Sequence, residues 1–152
     1  MVQVCVAFGA NLGDAQATVL QAIQDVAALA NTQLQIASSL YASAPHEAIG
    51  PEFINAVAMY NTDLPPLELL DALQNLETIA GRERSFLNAP RTLDLDIIFY
   101  GDIALDSPRL TLPHPRWQER AFVLVPLAEI SPDKVSPALL SSVANQSVRR
   151  IG

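Results

Sequence analysis

Asp94 and Asp96 are the residues best placed to do chemistry. They stand in the run Arg91-Thr92-Leu93-Asp94-Leu95-Asp96-Ile97-Ile98, whose alternating apolar residues predict a strand. Alternate side chains of a strand share a face, so Leu93, Leu95 and Ile97 point one way and the two aspartates the other. The carboxylates then sit about 7 Å apart along the strand and repel each other unless a cation joins them. Two magnesium ions, bound through oxygen and completed by phosphate, would remove that conflict. The plain alternative is a half-exposed edge strand with solvated aspartates, a residue type that strands disfavour.

The surrounding residues suit the same chemistry. Arg82, Arg84 and Arg91 fall in a polar stretch without periodicity just before the strand, which reads as a loop able to close over polyphosphate. Guanidinium groups there would meet charge on a transferring phosphoryl group; solvated arginines are the alternative. His114 lies between Pro113 and Pro115, with Arg109, Thr111, Arg116 and Arg120 nearby. In a stiff turn it could donate to phosphate, although a lone histidine is more often a structural hydrogen-bond partner. Phe53 and Asn55, two apart on another strand, could stack on a flat heterocycle and read its polar edge, or be an ordinary core pair. Phe122 is open to the same two readings.

Composition narrows the classes. The net charge is −7, which disfavours a general nucleic-acid binder. Residues 1–81 carry eight acids and no lysine or arginine, whereas residues 82–120 carry six arginines. Arginine gathered in one segment of an acidic chain suggests a local anionic ligand, or a set of surface ion pairs. The single Cys5 cannot form an internal disulfide and reads as buried packing. No signal peptide or bilayer-length apolar run is seen, so the expected location is the cytoplasm, with no membrane partner. The only lysine is Lys134, so there is no Walker-type phosphate loop, and no Cys/His cluster suggests zinc.

These groups need a scaffold, and 152 residues suit one domain, residues 1–152. Val2 to Phe8 alternates as a strand. A helix follows from Asp14, its expected N-cap, to about Ala30. Leu34 to Ser43 reads as a second strand, 44–51 as a loop, and Phe53 to Thr62 as a third strand. Pro65 and Pro66 open a helix that ends at Gly81. With Leu93 to Tyr100 the order is β-α-β-β-α-β: an α+β chain with helices on one face of an antiparallel sheet. A short extended piece at 110–112, an apolar helix at 121–130 and a weaker helix at 137–144 follow.

Pro90-Arg91-Thr92-Leu93-Asp94-Leu95-Asp96-Ile97 resembles the signature of the 6-hydroxymethyl-7,8-dihydropterin pyrophosphokinase family of folate biosynthesis. The resemblance runs nearly end to end, through Gly9-Ala10-Asn11-Leu12-Gly13, Ser38-Ser39-Leu40-Tyr41, Phe53-Ile54-Asn55-Ala56, Gln74-Asn75-Leu76-Glu77, Gly81-Arg82-Glu83-Arg84, Leu112-Pro113-His114 and Arg120-Ala121-Phe122. It implies a ferredoxin-like fold with a C-terminal extension, and transfer of the β,γ-diphosphate of ATP to the pterin hydroxymethyl group. Asp94 and Asp96 match positions that hold two magnesium ions, and Arg82 and Arg91 match catalytic-loop arginines. Phe53 and Phe122 match the residues that sandwich the pterin, with Asn55 on its edge and Ser43 and Ala44 lining the pocket through backbone groups. Gln74, Glu77, Arg84, Arg91, Ile97, Arg109, Thr111, His114 and Arg120 fall at ATP-side positions.

The chain departs from some members at Asn88, where they carry tryptophan, at Ser85, where they carry lysine, and at Pro115, where they carry tyrosine. The expected protein is a monomer acting on ATP and the pterin. A metal-dependent phosphohydrolase and a non-catalytic small-ligand-binding domain are the rival readings, the second because fold alone does not give function.

Overall fold

The structure, a computed structural model, describes residues 1–44, 51–81 and 93–152. The elements run β1 (Val2–Ala10), α1 (Ala15–Ala27), β2 (Thr32–Ala37), β3 (Tyr41–Ser43), β4 (Phe53–Thr62), α2 (Pro66–Gly81), β5 (Asp94–Tyr100), β6 (Leu105–Asp106), β7 (Thr111–Leu112), α3 (Ala121–Ile130), α4 (Pro137–Ser142) and β8 (Val148–Arg150). The main sheet is antiparallel, in the order β5-β1-β4-β3-β8, with β2 also on β4. The β-α-β-β-α-β order and the α+β class hold.

Three details differ from expectation. The second strand is broken into β2 and β3 at 38–40, because the Ser38 hydroxyl accepts the Val57 N–H at 3.0 Å in place of a ladder carbonyl and the chain bulges there. The first helix stops at Ala27, and Asn31 turns the chain into β2 at φ 53°. Helices also cover both sheet faces rather than one. On the first face, Val4, Val6, Phe8 and Tyr60 pack with Val19, Ile23 and Val26 of α1 and Leu69 and Leu73 of α2. On the second, Cys5, Ala7, Val57, Met59 and Ile98 pack with Val123, Leu124 and Leu127 of α3. The cause lies in the central strands: consecutive residues of β1 and β4 are buried, and a strand apolar on both sides needs two covers.

Local chemistry places the ends. Asp14 caps α1 through Ala17 N–H at 3.1 Å, as expected. Glu129 of α3 accepts from the Ser39 N–H and hydroxyl, both at 2.9 Å, and from the Tyr41 hydroxyl at 2.6 Å. That carboxylate clips α3 onto the start of β3. The C-terminal β8 had no counterpart in the sequence reading. It covers the outer edge of β3, Val148 opposite Ser43, an edge that would otherwise be open to pairing.

Candidate functional site

Backbone register assembles the site. Gly9 lies opposite Asn55 on one side and opposite Asp94 on the other; Ala7 likewise separates Val57 from Asp96. Paired residues share a sheet face, so Asn55, Gly9, Asp94 and Asp96 all look toward α3. Phe53 is two residues from Asn55 and on the same face, with Ser43 opposite it. These residues floor a cleft of about 1010 Å³ at one end of the sheet.

At the β4 side of the cleft, Asn55 is 3% exposed and Ser43 5%, so their polar atoms need partners. The Ser43 hydroxyl donates to Asn55 Oδ1 at 2.6 Å. The oxygen being engaged, the amide nitrogen lies beside Gly9, where an added Cβ would stand 3.4 Å from it. The Ser43 side chain therefore orients the Asn55 amide, a contact apart from the backbone role that the resemblance implied. Phe122 of α3 also lines the cleft, as does Ala44.

At the β5 side, Leu93, Leu95 and Ile97 are buried, Asp94 is exposed and Asp96 half-buried, which is the alternation the sequence predicts. The Leu95 N–H, between the two aspartates, is held by Glu77 Oε2 at 2.9 Å, so α2 fixes the strand that carries them. Asp96 Oδ2 lies 3.9 Å from Arg120 Nη1, and the Arg120 guanidinium lies 5.5 Å from the centre of the Phe122 ring. One cation thus bridges the acidic and aromatic sides.

The remaining wall comes from α2 and the β6–β7 hairpin. Gln74 and Glu77 line the cleft with Arg109 and Thr111, and Arg109 donates to Asp71 and, at 3.3 Å, to Gln74. His114 Nδ1 accepts the Arg116 N–H at 3.1 Å, which leaves Nε2–H as the donor of the neutral ring. Burial holds this imidazole below its ordinary value, and Arg120 and Arg116 push the same way against Asp96. A neutral donor suits a phosphate oxygen without competing as an ion pair.

Every described residue that the sequence reading proposed for the site lines this one cleft. Arg82, Arg84 and Arg91 lie outside the described residues, as do Ser85 and Asn88. Gly9, Leu70 and residues 146–148 also line it and were missed. Gly9 carried a signal, as the first residue of the run Gly9-Ala10-Asn11-Leu12-Gly13 that the resemblance includes; Gln146 carried none.

The donor set decides which metal fits. Among the described residues no group of three His, Cys, Asp or Glu could close a protein-only site, which excludes a structural zinc centre built from them. Two carboxylates facing open volume fit magnesium, which retains waters and takes phosphate oxygens as ligands.

A family model described as 7,8-dihydro-6-hydroxymethylpterin-pyrophosphokinase matches residues 5–132. A Pseudomonas aeruginosa protein named 2-amino-4-hydroxy-6-hydroxymethyldihydropteridine pyrophosphokinase is 43% identical, over 98% of this chain and 96% of its own. A Haemophilus influenzae protein of the same name is 42% identical over 90% of this chain and 86% of its own. A solved Plasmodium falciparum HPPK-DHPS structure superposes with a TM-score of 0.69 at 13% identity, over 95% of this chain. This chain spans 43% of that one, and the likeness shows the fold.

Proposed function

The chain belongs to the 7,8-dihydro-6-hydroxymethylpterin-pyrophosphokinase family, and from that premise we propose how its cleft performs the family's reaction. The protein transfers the β,γ-diphosphate of ATP to the hydroxymethyl group of 6-hydroxymethyl-7,8-dihydropterin. The hydroxymethyl oxygen attacks the β-phosphorus in line. The bond from that phosphorus to the α,β-bridging oxygen breaks, and the oxygen leaves with AMP.

The pterin ring lies between Phe53 and Phe122, with the Asn55 amide donating to its polar edge and Ser43 and Ala44 beside it. The triphosphate lies over Asp94 and Asp96, with the adenosine half against Gln74, Glu77, Ile97, Arg109 and Thr111. Asp94 and Asp96 would hold two magnesium ions, which when bound neutralise the phosphates and acidify the attacking hydroxyl. His114 donates to a phosphate oxygen and Arg120 meets the charge nearest the acceptor. Arg82, Arg84 and Arg91 complete the cationic side, with Arg82 and Arg91 set against charge on the transferring group.

Register is the observation that carries this reading. Asn55 and Asp94 flank Gly9 on adjacent strands, so the ring-reading amide and the phosphate-side carboxylate are about 10 Å apart, two strand spacings. A heterocycle with one hydroxymethyl arm spans that interval to a phosphate. A phosphohydrolase needs no aromatic–amide side, and a sensor needs no paired carboxylates.

The proposal further takes residues 1–152 as a single domain working as a monomer in the cytoplasm, without nucleic-acid or membrane partners. No helix among the described residues is long and apolar enough to cross a membrane. The test is incubation with ATP, magnesium and the hydroxymethylpterin, following AMP by chromatography. AMP that forms only with pterin supports the proposal. Phosphate release without pterin would replace it with a hydrolase, and tight pterin binding without turnover would replace it with a sensor.

A further inference from the structure

We infer that Gln146 is a positioning residue for Arg120. A helix start leaves its first N–H groups without intrahelical partners, and a local Ser, Thr, Asp or Asn usually accepts from one of them. Arg120, at the N-cap of α3 with φ −118° and ψ 109°, makes no side-chain cap, and guanidinium has no acceptor to offer. Gln146 supplies the cap from the C-terminal segment. Its Oε1 accepts the Ala121 N–H at 2.9 Å, and its Nε2 donates to the Glu119 carbonyl at 2.8 Å.

The two bonds close on the peptide units either side of Arg120, so one amide fixes the backbone from which the guanidinium projects. That guanidinium reaches Asp96 and lies over Phe122. Gln146 is itself anchored. Val148 pairs opposite Ser43 in β3, and the Arg149 guanidinium forks onto both Glu52 oxygens, one residue before Phe53. Residue 146 lies beyond residues 5–132, the part that the family model matches. The assignment rests on the reading above, in which Arg120 meets the phosphates. It adds that the angle of Arg120 is set from outside its own helix.

The test is a double-mutant cycle of Gln146→Met, which keeps length but removes both hydrogen bonds, with Arg120→Ala. The readouts are kcat/KM for pterin-dependent AMP formation and the melting temperature. Gln146→Met should lower kcat/KM about tenfold in the wild-type background and less than about twofold once Arg120 is absent, a coupling within the range for residues joined in one hydrogen-bond network. Its effect on melting should be the same in both backgrounds. Gln146→Glu keeps the acceptor for Ala121, and the same cycle run with it reads the coupling even where the Met variant folds poorly. Equal factors with and without Arg120, or no loss in either variant, overturn the assignment while leaving the function in place. A wild-type protein that makes no pterin-dependent AMP overturns both.

Discussion

Replacing Asp96 with Asn tests the acidic side of the cleft while leaving the fold alone. The amide has nearly the shape of the carboxylate, and the strand is held by buried Leu95 and Ile97, 5% and 2% exposed, which do not change. The only described ion pair lost is that with Arg120, at 3.9 Å between half-exposed groups, worth about 0–1 kcal/mol. Melting should therefore shift by no more than about 4 °C. Turnover should respond on a different scale. A carboxylate that would hold magnesium against the transferring phosphates in a preorganised site should contribute on the order of two to three decades of rate, or ~2.7–4 kcal/mol at 1.36 kcal/mol per decade. The assay is AMP formed at saturating ATP, magnesium and pterin, beside a thermal melt followed by circular dichroism. Asp102→Asn is the control, since Asp102 is exposed and lies outside this cleft; it should leave both readouts unchanged. Turnover of Asp96→Asn within tenfold of wild type would refute the placement of phosphate chemistry at β5. So would a loss matched by a comparable fall in stability.

Asn55→Asp should keep the Ser43 bond but remove the amide donor, raising the pterin Kd by about a hundredfold or more; titration of pterin fluorescence reads it, with the ATP Kd unchanged. Burial works to raise the Glu129 carboxyl, but the bonds from Tyr41 and Ser39 and the nearby Arg150 outweigh it and hold it below its ordinary 4.5. That contribution to stability is present above pH 4.5 and lost as pH falls through the lowered value, so Glu129→Gln should flatten the acid limb of a urea-stability profile. Burial first, then the bond to Glu129, pushes the Tyr41 phenol up to about 12; its share is full below pH 10 and goes as pH rises toward 12, so Tyr41→Phe should be less sensitive there. Cys5 is fully buried and burial pushes its thiol up to about 12, so an aromatic disulfide reagent at pH 8 should label it only in denaturant.

What the sequence showed most clearly was whatever a single element's periodicity controls. Asp94 and Asp96 could be placed on one face because the period of a strand is fixed, and Asp14 could be read as a cap because its chemistry is local. The break at Ser38 was invisible, since a hydroxyl replacing a ladder carbonyl leaves the alternation of Leu34, Ile36 and Leu40 intact. The second helical cover was misjudged for a related reason. Helix α3 is apolar nearly all round, with Ala121, Val123, Leu124, Pro126 and Leu127 buried, and a helix without a polar face does not say which sheet face it takes. Only the full burial of β1 and β4 demanded a cover on both sides. Gln146 and Ser43 act through neutral amide and hydroxyl groups whose partners are distant in sequence, and nothing in composition marks such a pair.

The spacing between the two halves of the cleft has a simpler origin than either half. It is set by strand separation, which side chains barely alter, and by a register in which Gly9 lies between Asn55 and Asp94. Any other residue at Gly9 would put a Cβ on the same face as both, 3.4 Å from the Asn55 amide nitrogen. On the proposed function, the face toward α3 would depend on a bare backbone at its centre as much as on the charged groups at its edge. Arg120 and Phe122, held above that gap by the start of α3, close it from the other side. On the proposed function, the paired aspartates account for the polyphosphate, and the bare position next to them makes room for an acceptor within reach.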